Sequence, residues 1–321
     1  MLSNIISNTY TQIALVLAAF GGLISDQIGS GYSIVIVASF ALIAYSLYDE
    51  YKKKKIYSNP NIPIPIVFNI SNPANSKSVL NALFEILNKN YPNHKENLKK
   101  FFTLIEDDLI FKYDGNIFDE KRFIDFLKIS KHDIKKLEAQ TPQNIHFHIV
   151  YIGPIANAIM IGTMLGTEGV TLYQYNKSSD SYNISLQING REYKEHVKEF
   201  KIIKKEIIGE IKESVTVAID LASHKVALGK LQKPIVHLES TIGATIHKPE
   251  DFIRANQEIY AVINELQQTC SHIKLVYSMP TTVAIMLGMS VQNYWNIEVT
   301  QFSDGEYKSV VKHLNEIKYY F

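Results

Sequence analysis

Two stretches decide the fold: HFHIVYIGPIANAIMIG at residues 146–162 and HIKLVYSMPTTVAIMLG at residues 272–288. They align without a gap at a spacing of 126, sharing His146/His272, Val150/Val276, Tyr151/Tyr277, Pro154/Pro280, Ala158/Ala284, Ile159/Ile285, Met160/Met286 and Gly162/Gly288. One residue out of step, each is followed by a segment with matching ends, VTLYQY at 170–175 and IEVTQF at 297–302. Self-similarity at a fixed spacing marks a duplicated structural unit. Each copy reads as an apolar strand, a sharp turn, a helix opened by proline where a missing N–H costs nothing, and a second parallel strand. Ala158 with Gly162, and Ala284 with Gly288, are expected to let each helix lie close on its own sheet.

Outward from the repeat, strand-like runs at Ile64–Ile70, Val215–Leu221 and Ile235–Leu238 alternate with helical periodicity over Ser76–Leu87, His94–Ile105, Glu120–Leu137 and Pro249–Gln268. The expected fold class is α/β, with two fused Rossmann-like units at 66–205 and 206–321, built on mostly parallel sheet. In such sheets ligands bind beyond the carboxyl ends of the strands, where helix N-termini present free N–H groups. That places Ile152, Gly153, Pro154 and Asn157 at the ligand edge in the first copy, and Ser278, Met279, Pro280, Thr281 and Thr282 in the second. Other strand ends would add Ser71 and Asn72, then His224 and Lys225, and also Ser240 and Thr241 if the strand at Ile235 runs parallel to its neighbours. Gln174-Tyr175 and Gln301-Phe302 close the second strands, with Tyr175 and Phe302 as rings that could stack a base. Two matching edges facing one another suit a ligand built of repeated units.

The N-terminus has a different chemistry. No Lys, Arg or His precedes Lys52, and the acids up to Tyr51 are Asp26, Asp49 and Glu50. Two apolar runs, about 5–25 and 31–48, flank the turn at Asp26. Each approaches the roughly 20 residues that a helical membrane span needs, so residues 1–51 read as a transmembrane hairpin. Lys52-Lys53-Lys54-Lys55 is expected to keep the N-terminus and the remainder of the chain on the cytoplasmic side of the membrane. Ala14, Ala18 and Gly22 form a stripe of small residues that allows close helix approach, within the hairpin or between protomers. Residues 52–65, with Pro60, Pro63 and Pro65, read as a basic, extended linker.

Composition narrows the function. The chain has 321 residues with 33 basic and 32 acidic side chains, a net charge of +1, and only three arginines, Arg122, Arg191 and Arg254. Binding to duplex DNA or RNA, which needs clustered cations, is not expected. Subtracting the three N-terminal acids leaves the remainder at +4, consistent with an anion-binding module. A single cysteine, Cys270, allows no intrachain disulfide and no cysteine-cluster metal site. No GxGxxG, P-loop, HExxH or nucleophile-elbow motif is present, and neither a cofactor, a metal nor a catalytic residue is expected. The competing reading is a membrane-anchored Rossmann-like enzyme, a hydrolase or ring nuclease acting on a nucleotide.

The strand, proline turn, P-xxx-A-xxx-G helix and following strand ending in Gln plus an aromatic, as in Ile149–Gly162 with Gln174-Tyr175 and Leu275–Gly288 with Gln301-Phe302, resemble the SAVED domain. The resemblance covers about 63–321 and implies two fused CARF-like units that sense a cyclic oligonucleotide. With two N-terminal spans the chain resembles the two-transmembrane SAVED effectors of cyclic-oligonucleotide-based antiphage signalling (CBASS). The resemblance further implies a cyclic di- or trinucleotide ligand from a partner nucleotidyltransferase, self-association on binding, and membrane disruption that ends in abortive infection.

Overall fold

The computed structural model of the chain describes residues 11–16, 31–57, 61–70, 75–141, 144–243, 246, 248–292 and 294–321. The chain divides into two compact units, Met1–Asn61 with Asn90–Pro92, and Ile62–Lys89 with Asn93–Phe321.

In the first unit, residues 11–16 are helical and α1 spans Gly31–Ile56. Most of the first expected membrane run, including Ala18 and Gly22, lies outside the described residues. Among the described residues no helix is long and apolar enough to cross a membrane. The described side chains are nevertheless sorted inside out. Ser39, Ser46, Asp49 and Lys53 are buried, while Val37 and Phe40 are 67% and 68% exposed and Leu47, Tyr48 and Tyr51 also face outward. On residues 11–16, Thr11 and Ala14 are buried and Ile13, Leu15 and Val16 are exposed; the Thr11 and Ser46 hydroxyls share a hydrogen bond of 2.8 Å.

The second unit holds two sheets. The first has the order β2-β1-β3-β4-β5, with β1 Asn61–Ile70, β2 Ile110–Tyr113, β3 Asn144–Ile152, β4 Val170–Asn176 and β5 Ser181–Ile188. The expected linker 52–65 is corrected at both ends: α1 runs to Ile56, and Asn61–Pro65 is already the start of β1, with Ile62 and Ile64 fully buried. Pro63 and Pro65 precede Val67–Ile70, the part of β1 that pairs with β2, so neither removes an N–H from that ladder. Helices α2 (Ser76–Asn88), α3 (His94–Phe102) and α4 (Glu120–Gln140) follow the expected periodicity. Asn75 caps α2, accepting from Lys77 N at 3.1 Å, and Asp119 caps α4, accepting from Arg122 N at 3.1 Å.

The second sheet has the order β11-β10-β9-β7-β8-β6, with β6 Ile203–Ile208, β7 Ser214–Asp220, β8 Ile235–Ser240, β9 His272–Ser278, β10 Ile297–Ser303 and β11 Glu306–Val311. β8, β7, β9 and β10 are parallel, which meets the condition set for Ser240 and Thr241, and antiparallel β6 and β11 form the edges. α6 (Pro249–Leu266) starts with Pro249, Glu250 and Asp251, a good first turn for the helix dipole. Fully buried Glu258 on α6 accepts from the backbone N–H groups of Lys201 (2.7 Å), Ile202 (3.3 Å) and Ile203 (2.8 Å) and from Arg254 Nε (2.7 Å). One carboxylate thus fixes the entry of the chain into the second sheet.

The repeat extends further than its sequence match. β3, α5 (Ile155–Leu165), β4 and β5 correspond to β9, α7 (Thr281–Ser290), β10 and β11. Both hairpins carry a register shift at the equivalent place, between Leu172 and Tyr173 and between Val299 and Thr300. A short helix, α8 (Leu314–Lys318), ends the fold.

Candidate functional site

The geometry of the site follows from how α5 and α7 meet. A Cβ on Gly162 would stand 2.0 Å from Ile285 O, and one on Gly288 would stand 1.9 Å from Ile159 O. The two helices therefore cross backbone to backbone, and Thr163 Oγ1 spans the crossing by donating to Gly288 O at 3.3 Å. This corrects the expectation that these glycines face their own sheets. The crossing carries each helix N-terminus over the other half: Thr282 on α7 shares a 2.8 Å hydroxyl hydrogen bond with Ser185 on β5, and Ala156 N on α5 donates to Gln301 Oε1 on β10 at 3.4 Å. Each edge is built from the strand ends of one half and the helix of the other.

At the first edge this leaves a cleft of about 340 Å³, whose polar and aromatic lining includes Tyr151, Tyr173, Gln174, Tyr175, Tyr182, Thr281 and Thr282 over an apolar base of Ile149, Ile152, Leu172 and Ile285. Tyr175 and Tyr182 face each other across the β4–β5 hairpin with centroids 5.4 Å apart, and the Tyr175 hydroxyl donates to Asp180. Among the described residues no lining side chain is basic or acidic. The phenols stay protonated at neutral pH. Burial and neighbouring Tyr277 push Tyr151 well up, burial raises Tyr173 to about 12 and also raises Tyr182, and the Asp180 hydrogen bond raises Tyr175. The cleft therefore offers neutral donors, aromatic faces and an amide, suited to an uncharged ring with a hydrogen-bonding edge.

Among the expected site residues, the cleft gathers Ile152, Tyr175, Thr281 and Thr282 together with Gln174. Gly153 and Pro154 form the turn after β3, and a Cβ on Gly153 would meet Ile70 Cβ at 2.8 Å, so the ends of β1 and β3 share one edge. Asn157 is fully buried, and its amide has no partner among the described residues. Ser278 O accepts from Leu221 N at 2.7 Å, and Pro280 is buried as the N-cap of α7. His224 and Lys225 lie in an exposed loop, where Lys225 pairs with Glu239 at 3.1 Å. Ser240 ends β8, and Thr241 N donates to Ile202 O at 2.9 Å. Phe302 packs on Tyr307 with centroids 5.0 Å apart at the second edge. Ser71 and Asn72 lie outside the described residues. The cleft residues that sequence reading missed are chiefly Tyr151 and Tyr182; the alternation Tyr182, Ile184, Leu186, Ile188 carries the strand signal that locates the latter.

Behind the cleft, one face of β3 carries His146 and His148, which pair with Thr171 Oγ1 and the Tyr173 hydroxyl, each at 2.8 Å. Burial, reinforced by His146, lowers His148 to about 3, and burial lowers His94 to about 4 although it contacts Pro63 O at 2.7 Å. Among the described residues no group of three or more His, Cys, Asp or Glu side chains could hold a metal ion.

Fold and site together define a pseudo-dimeric pair of α/β halves with an aromatic-lined cleft at their shared edge. Residues 131–312 match the family model "SMODS-associated and fused to various effectors sensor domain", and the chain belongs to this SAVED family. Among solved structures it is similar to the Acinetobacter baumannii Cap4 SAVED/CARF-domain receptor (16% identity, TM-score 0.49, covering 88% of this chain and 58% of that one). It is also similar to that receptor with the cyclic trinucleotide 2'3'3'-cAAA (14% identity, TM-score 0.49, 87% and 58%) and to the Moraxella osloensis Cap4 receptor (14% identity, TM-score 0.46, 87% and 58%). The chain thus spans less than two thirds of the length of these structures. Comparison with curated proteins returned no match.

Proposed function

We propose that this chain is a membrane-anchored receptor of an antiphage CBASS system, which binds a cyclic di- or trinucleotide through its SAVED domain and answers by self-association and disruption of the inner membrane. The observation that carries the reading is the uncharged, aromatic-lined cleft at the joined strand and helix ends of a SAVED-family domain. A base can stack on the Tyr175–Tyr182 pair, which would contribute about 1–3 kcal/mol per base, while the Thr281 and Thr282 end of α7 offers N–H groups to a phosphate. The inside-out sorting of α1 and residues 11–16 supports the membrane anchor, because large exposed apolar patches mark contact with lipid or protein. In this reading a partner nucleotidyltransferase supplies the ligand, and the N-terminus and sensor domain are cytoplasmic.

The test is calorimetric titration of the full chain in detergent against a panel of cyclic di- and trinucleotides, followed by dye release from liposomes carrying the chain. Tight binding of one panel member, and leakage only when that member is added, are expected. No binding across the panel overturns the receptor reading; binding without leakage overturns the membrane arm.

A further inference from the structure

The first unit is not made of the N-terminus alone. It includes Asn90–Pro92, which lie in the turn between α2 and α3. Within this unit the Tyr91 ring stacks on Tyr57, with centroids 6.0 Å apart and planes 26° from parallel. Tyr57 directly follows α1, is 4% exposed, and donates its N–H to Lys53 O at 2.9 Å, so its ring is fixed to the end of that helix. The turn that carries Tyr91 is braced on both sides by the second unit. Asn88, the last residue of α2, accepts from His94 N at 2.9 Å. Fully buried His94 in turn contacts Pro63 O of β1 at 2.7 Å and stands edge-on to Phe84 of α2.

The other end of α2 starts at the edge shared by β1 and β3. Buried Asn69, next to last in β1, donates to the hydroxyl of Ser76, the first residue of α2, at 2.8 Å. Ile70 then lies against the Gly153 turn that follows β3. Between these ends α2 buries Val79, Leu80, Leu83, Phe84 and Leu87. Its 13 residues, about 20 Å of helix, therefore form a packed rod from the β1–β3 edge to the Tyr91 turn.

We propose that Tyr91 is a positioning residue that passes ligand binding on to the anchor: α2 shifts as a rod when the β1–β3 edge takes up ligand, and the Tyr91–Tyr57 stack hands that shift to α1. The inference rests on the receptor reading above and names the route of its signal. Packed elements move between discrete arrangements rather than deforming continuously, so a displacement at one end of a buried rod arrives at the other. The backbone also joins α1 to β1 through residues 58–60, and changing one ring separates the two routes.

Three variants of the full chain test this: Tyr91→Ala, Tyr57→Ala and Tyr91→Phe. In calorimetric titration in detergent against the panel of cyclic di- and trinucleotides, all three should bind the parent's ligand within twofold of the parent. In dye release from liposomes, normalised to incorporated protein, both alanine variants should lose about tenfold in the ligand-triggered rate, the upper worth of an aromatic pair. Tyr91→Phe keeps the ring and should stay within threefold of the parent. Amide hydrogen exchange at Tyr57 should change on ligand addition in the parent and not in Tyr91→Ala. Leakage at the parent rate from either alanine variant, tenfold weaker binding by Tyr91→Ala, or a Tyr57 exchange rate that ignores ligand in the parent overturns the proposal and leaves the receptor reading standing. A parent that binds no panel member overturns the receptor reading and this proposal with it; a parent that binds without leakage overturns the membrane arm and this proposal together.

Discussion

The two copies of the repeat are alike where they touch and unlike where a ligand would be held. At the helix crossing each glycine faces a carbonyl of the other copy, at nearly the same distance. A few residues away the symmetry ends: Ser185 bonds Thr282, whereas the equivalent positions carry Val310 and Ala156. The strand face differs too. His146 and His148 are neutral and tucked against Thr171 and Tyr173, while their equivalents His272 and Lys274 reach Glu298 at 3.4 and 3.8 Å on a more open face. Packing between the halves tolerates one solution, because a backbone crossing leaves no room for a Cβ on either side. The edges carry no such restriction, so their side chains can diverge.

The largest effect is expected from breaking the crossing. Gly162→Ala or Gly288→Ala drives a methyl group into a backbone carbonyl, and should cost about 3 kcal/mol or more by overpacking. Chemical denaturation should show both variants destabilised alike; tolerance of either one would mean that the halves do not meet through this contact.

A middle-sized effect depends on pH. His148 and His94 are held neutral by burial, so the unfolded chain binds more protons than the folded one once pH falls below about 6.5. Their contribution is complete above that value and is lost progressively as pH falls towards about 4 for His94 and about 3 for His148. At pH 5 this amounts to about 2 kcal/mol per histidine. Denaturation midpoints of the full chain should fall between pH 7 and pH 5, and His148→Phe should flatten part of that slope.

The smallest effect sharpens the comparison at the edges. Ser185→Val gives the first edge the residue found at the second, removing the hydroxyl pair with Thr282 and the bond to Leu172 O. A loss of about 1 kcal/mol in stability is expected, with weaker ligand binding because the α7 N-terminus is no longer held to β5. Unchanged affinity would show that Thr282 is positioned by the helix crossing alone.

Much of this was legible in the residues. The gapless match over 146–162 and 272–288 located the duplicated unit, and periodicity located α2, α4 and α6 closely. β5 and β11 went unread although their signals are present: alternation from Tyr182 to Ile188, and Asp304-Gly305, whose positive φ values of 52° and 84° make the tight hairpin turn. β6, with Lys204, Lys205 and Glu206 in its middle, has no apolar run to mark it. The prolines of β1 read as a tether because local chemistry does not reveal which part of a strand is paired.

The residues alone determined that an α/β unit occurs twice, where most of its strands and helices lie, and which turns follow its strands, since periodicity and turn chemistry act over a few neighbours in the chain. Tertiary structure decided which helix crowns which strands. A glycine fits equally well against a sheet or against another helix, and only the approach of Ile285 to Gly162, across more than a hundred residues of chain, selects between them.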